Sequence, residues 1–97
     1  MNISIKLCEH IRERIIPQYV NFDKAHRIDH VEKVIEESMK LALHYEVNSA
    51  MVYTIAAYHD LGLCEGREFH HIVSGKILFA DETLWQWFTD DQMLQMK

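Results

Sequence analysis

Little in this chain would break it up. Among its 97 residues there are one proline and three glycines, so few positions end a helix or call for an unusual backbone turn. There are only two cysteines, Cys8 and Cys64, far apart and outside any CxxC spacing. A disulfide is therefore not expected, and the usage fits a cytoplasmic protein. No apolar run approaches the ~20 residues that span a bilayer. The stretch Met1 to Leu7 has neither the basic start nor the continuous apolar core of a signal peptide, so no membrane partner is expected. Basic residues are outnumbered, ten Lys and Arg against fifteen Asp and Glu, for a formal charge of −5. Such a chain is short of the cations that neutralise phosphates and release counterions, which argues against a nucleic acid polymer as partner. Small phosphorylated ligands are a separate matter, because one bound metal ion can reverse the field inside a pocket.

What remains is the composition of a soluble globular protein, 48% apolar and 26% charged, with a length that supports one core and hence a single domain over residues 1–97. Helix formers dominate and strand signals are scarce, so the expected fold is all-α, a compact bundle of about five helices. Ile3, Leu7, Ile11, Ile15 and Tyr19, spaced by four, predict a first helix that ends or kinks near Ile16, ahead of Pro17. The polar run Asn21 to Arg27 reads as a loop in which Asp23 is a candidate N-cap. A second helix follows through Ile28, Val31, Ile35, Met39 and Ala42 to about Tyr45, with Glu32, Lys33, Glu36, Glu37 and Lys40 as its solvated face. Asn48 or Ser49 caps a third helix whose inward stripe is Val52, Ile55, Ala56 and His59, and Gly62 falls where a left-handed C-terminal residue is expected. After a loop from Gly62 to Glu68, a fourth helix begins near His70 and runs through Ile72, Ile77 and Leu78. Asp81 to Thr83 interrupts it, and Thr89-Asp90-Asp91-Gln92 fits a capping box for a last helix. No internal repeat is present.

Seven histidines are placed informatively. His26 and His30 stand four apart, so one metal can reach both if the second helix starts early enough; otherwise His26 caps or packs locally. His59 prolongs the apolar stripe of the third helix. A buried imidazole needs a partner, which is a backbone carbonyl or carboxylate in a plain core, or a metal shared with the neighbouring Asp60. A partly buried carboxylate is costly unless it is paired or bound to a cation, and imidazole with carboxylate suits Zn, Mn, Fe, Co or Ni, with Mg where oxygen ligands predominate. His70 and His71 open the next helix, whose dipole disfavours protonated imidazole and so leaves neutral, ligand-competent rings. Adjacent side chains diverge by about 100° on a helix, so one of the two faces the group, and His70 is the preferred one.

His30-Val31-Glu32-Lys33-Val34, preceded by Asp23-Lys24-Ala25-His26, and Ala56-Ala57-Tyr58-His59-Asp60-Leu61-Gly62 together resemble the HD superfamily of metal-dependent phosphohydrolases. In that family a histidine opening one helix and a His-Asp doublet closing another hold a divalent ion. The resemblance runs from about Phe22 to Lys76. It implies His30, His59 and Asp60 as metal ligands, Asp60, His70 and Arg67 as catalytic groups, and Arg67, Lys76 and His71 as contacts to a small phosphorylated substrate. The implied activity is hydrolysis of a nucleotide or related phosphate ester or anhydride. The family also uses a later aspartate on a further helix. Here Asp81, Asp90 and Asp91 are the only later ones, and the last two read as first-turn residues. The expectation is therefore an HD-like domain shortened at its C-terminus, either a hydrolase in longer form or a domain that binds metal, nucleotide or a protein partner without turnover. If its last helix lacks a covering, Trp85, Trp87, Phe88, Leu94 and Met96 form an exposed apolar patch suited to a homodimer.

Overall fold

In the computed structural model, which describes residues 3–21, 28–45, 47–62 and 70–97, the N-terminal apolar stripe lies on one helical rod whose winding changes along its length. Ile5–His10 form α1, the turn Ile11–Ile15 widens to π geometry, and Ile16–Asn21 tighten into 3-10 form. A spacing of four drifts by about 40° per step on a uniform α-helix. A wider turn takes more residues per revolution, and Leu7, Ile11, Ile15 and Tyr19 are all buried. The end or kink expected near Ile16 takes the form of a change of winding at that residue. In a regular helix the Pro17 ring would collide with the Glu13 carbonyl, and Glu13 falls within the widened turn, where that conflict would arise.

The next helix, α2, spans Ile28–Ala42 and gives way to a turn over residues 43–45, earlier than the expected end at Tyr45. Val31 and Ala42 are buried, Ile28, Ile35 and Met39 pack against the core, and Glu32, Lys33, Glu36, Glu37 and Lys40 are exposed as expected. The candidate cap Asp23 lies outside the described residues. Helix α3, Ser49–Tyr58, is capped by Asn48, whose Oδ1 accepts from the Met51 amide at 3.1 Å. It is the central helix, packed against α2, α4, α5 and the π turn. Being covered on several sides, it buries Tyr53, Thr54, Ala56, Ala57 and Tyr58 rather than one stripe, and Ile55, expected inside, is 41% exposed.

Helix α4, His70–Ala80, turns Ser74, Gly75 and Leu78 inward. Ile72, expected on that face, lies outside it and is 58% exposed. Gly75 makes room for the last helix, since a Cβ there would strike the Lys97 carbonyl oxygen. Asp81 caps the 3-10 turn Glu82–Gln86 by accepting from the Thr83 amide at 3.1 Å. The capping box is formed at both bonds, Gln92 N–H to Thr89 Oγ1 at 3.2 Å and Thr89 N–H to Gln92 Oε1 at 2.9 Å. It starts α5, Asp90–Met96, with Asp90 and Asp91 in the first turn.

Phe88, Met93 and Met96 are buried and Trp87 packs against the core, so the continuous apolar patch expected over Trp85 to Met96 is not formed. Of its five members only Trp85 and Leu94 are exposed, which removes the basis for dimerisation through that region. The fold is all-α, five α-helices with no strand among the described residues. Its radius of gyration of 12.8 Å is close to the ~12.5 Å of a compact chain of this length. No helix among the described residues is long and apolar enough to cross a membrane.

A partly buried polar tie closes the bundle. Asp81 Oδ2 accepts from the Tyr58 hydroxyl at 2.5 Å and from His10 Nε2 at 2.9 Å, linking α1, α3 and the end of α4. Burial pushes the Asp81 carboxyl up, but the hydrogen bonds from Tyr58 and His10, the His10 charge and the Thr83 amide outweigh it and hold the group below its ordinary 3.8. A depressed folded value means that this carboxylate favours the folded state at neutral pH and loses that effect as pH falls through the ordinary value to the folded one. Asp81→Asn should lower stability at neutral pH by about 1–3 kcal/mol. It should also flatten the loss of urea midpoint on acidification below about pH 4. Parallel acid limbs for the two proteins would show that Asp81 contributes nothing through its charge.

Candidate metal centre

The His59-Asp60 doublet follows the last residue of α3, where a helix leaves its final carbonyls without intrahelical partners. Two of those carbonyls are taken by side chains. The His59 ring turns back so that Nδ1–H donates to the Ala56 carbonyl at 2.7 Å, and the Tyr19 hydroxyl, from the 3-10 end of the N-terminal rod, donates to the Ala57 carbonyl at 2.6 Å. The same Tyr19 oxygen receives the Asp60 amide at 3.4 Å. Tyr19 is fully buried. Burial, the largest influence on its phenol, raises the pKa well above the ordinary value, so the hydroxyl keeps its proton.

Asp60 is buried, at 5% exposure, with imidazoles around it. His59 Nε2 lies 3.0 Å from Asp60 Oδ2, and His30 Nε2, from the first turn of α2, lies 3.8 Å from the same oxygen. His70 Nε2, from the first turn of α4, is 3.7 Å from Oδ1. One ligand atom from each of His30, His59 and Asp60 can be chosen so that all lie within 4.8 Å of one another. The three side chains named from the sequence as metal ligands therefore converge from two helices.

This donor set fits a cation on chemical grounds. With Nδ1–H committed to the Ala56 carbonyl, neutral His59 presents the lone pair of Nε2 to a carboxylate oxygen 3.0 Å away. Two electron pairs at that distance repel unless a proton or a cation lies between them. A backbone carbonyl that fixes the outer nitrogen of a histidine is also the usual support of a metal-ligating imidazole. Bond lengths near 2.0–2.2 Å to nitrogen and oxygen put neighbouring ligand atoms about 3.4 Å apart in a tetrahedral site, and the two distances to Oδ2 lie on either side of that. Three ligands leave coordination positions open.

The remaining candidates fall into separate places. His71 is exposed, its ring 3.8 Å from that of His70, and lines a cleft of about 190 Å³ with Tyr58, His59, Ser74 and Met96. Lys76 is exposed on α4, six residues after His70 and so about 240° around the helix from it. Arg67, the alternative ligand His26 and Cys64 lie outside the described residues, and Cys8 is a free thiol. Asp81 is held by His10 and Tyr58, and Asp90 and Asp91 are exposed, so none of the later aspartates belongs to the group. The sequence did not give Tyr19 or Ser74 a role at this site. Tyr19 binds the Asp60 amide, and Ser74 Oγ accepts from the Gly62 amide two residues further on at 2.7 Å. Tyr19 was legible only as the last member of an apolar stripe.

Gly62 matters for a different reason from the one expected. Its φ lies outside the left-handed range, and a Cβ there would run into the His70 carbonyl and the Ser74 amide. Glycine is needed because α4 passes against the end of α3, which is what brings His70 to Asp60. Gly62→Ala should therefore destabilise the fold by about 1–3 kcal/mol in urea unfolding. A variant of unchanged midpoint would show that the two helix ends separate without cost. No protein-family model, curated protein or solved structure matches the chain.

Proposed function

We propose that the chain is a metal-dependent phosphohydrolase of the HD type, acting on a nucleotide or a related phosphate ester or anhydride. The observation that carries this reading is the convergence of His30, His59 and Asp60 on one point, with His59 also lining a cleft. A divalent ion held there, Mn, Mg, Zn, Fe, Co or Ni, supplies a Lewis acid for a phosphoryl oxygen and a bound water of lowered pKa.

The chain's own groups do the rest. His30 and His59 offer neutral Nε2 atoms, and the Ala56 carbonyl fixes His59 in the required tautomer. Asp60 offers Oδ2 to the ion and keeps Oδ1 toward His70. That oxygen orients the attacking water, and His70 accepts or returns a proton at Nε2. His71, at the cleft beside His59, meets the substrate phosphate, and the resemblance adds Arg67 as a bidentate phosphate contact. Lys76, on another face of α4, has no part in this scheme. Burial of Asp60 strengthens each of these interactions, because the field of a charge is less screened away from water.

A second reading, binding of metal or nucleotide without turnover, draws on the later aspartates, all of which are engaged or exposed away from the group. Assays of nucleoside triphosphates and a generic phosphomonoester with Mn, Mg, Zn or Co separate the two. Hydrolysis that is abolished by a chelator and falls by at least about 100-fold in His59→Ala is the expected result. Stoichiometric metal binding without hydrolysis selects the second reading. Hydrolysis that survives both chelation and His59→Ala rejects the first.

A further inference from the structure

We infer that Tyr19 is a positioning residue for Asp60, its hydroxyl setting the direction in which the buried carboxylate faces the three histidines. The inference rests on the metal reading above and extends it to a residue on a different helical segment. A single hydroxyl makes two contacts with one short piece of chain, donating to the Ala57 carbonyl at 2.6 Å and accepting from the Asp60 amide at 3.4 Å. It therefore spans the last turn of α3 and the residue that carries the carboxylate. Ser74 holds the other side of the same turn through the Gly62 amide. The backbone of residues 57–62 is thus gripped on both sides of Asp60, by side chains from the N-terminal rod and from α4.

Tyr19 is suited to this work. It is fully buried within a core that includes Leu7, Ile11, Ile15 and Tyr58, so its ring has no freedom to swing and its hydroxyl cannot exchange partners with water. The Asp60 amide nitrogen is bonded directly to the carbon that bears its side chain, and a small rotation of that peptide carries Oδ2 away from His59 and His30. Groups one step removed from a metal ligand commonly change affinity by about 10–100-fold when altered.

The test compares the unaltered chain with Tyr19→Phe, which keeps the ring and removes the hydroxyl, using Co2+ as the probe. Far-ultraviolet circular dichroism reports the fold, titration reports affinity, and the visible absorption of bound Co2+ reports ligand arrangement. Tyr19→Phe should remain helical, bind Co2+ about 10–100-fold more weakly, and show a shifted visible spectrum. In an Asp60→Asn background the same change should bring little further loss, because a residue acting through Asp60 has nothing left to position.

Equal affinity and an unchanged spectrum in Tyr19→Phe, with Co2+ bound by the unaltered chain, would overturn the role of Tyr19 and leave the metal reading standing. An equal loss in the Asp60→Asn background would reduce Tyr19 to general packing. Failure of the unaltered chain to bind Co2+ would remove the metal reading itself. If Tyr19→Phe does not fold, hydrogen exchange on the unaltered chain decides: the Asp60 amide should be as protected as the amides of α3, and a rapidly exchanging Asp60 amide would overturn the inference.

Discussion

A carboxylate almost out of contact with water governs this structure. Asp60 is 5% exposed, and burying an unpaired anion costs several kcal/mol. The bundle brings imidazoles to it from three helices: His30 from α2, His59 at the end of α3, and His70 from α4. Each helix must then be held in register with the others. Gly62 permits the closest of these approaches, because the His70 carbonyl and the Ser74 amide occupy the space where a side chain would be.

The end of α3 serves two polar groups that point to different places. Tyr58 reaches Asp81 and, through it, His10, while the next two residues face His30 and His70. The first group ties the N-terminal rod to the end of α4 and fastens the bundle. The second reaches a cleft through His59. A fastened frame beside an open donor set suits a site that must keep its geometry while ligands come and go.

The sequence made the helices legible because they rest on short-range rules, while the candidate ligand set came from the resemblance of two short motifs. The capping box at Thr89 and Gln92, the Asn48 cap and the solvated face of α2 depend on neighbours three or four positions away, and all are formed. His59 stood out as an imidazole on an apolar stripe beside a carboxylate, and His30 through its spacing from His26. The failures arose where distant segments decide. Ile55 and Ile72 fit an inward stripe by periodicity, yet both are exposed among the described residues. Gly62 answers to a neighbouring helix instead of to its own backbone. Tyr19 looked like core because its ring is core, and its hydroxyl acts across 41 residues of sequence.

The position of the donor set at the C-terminal end of α3 also has an electrical consequence. Aligned peptide dipoles leave about half a unit of negative charge at that end of a helix, and Asp60 adds its own. The first turns of α2 and α4, which carry His30 and His70, bring the positive ends of their own dipoles to the same place. On the proposed reading, a cation held at Asp60 would make its surroundings more hospitable to an anionic substrate, so each would favour the other's binding.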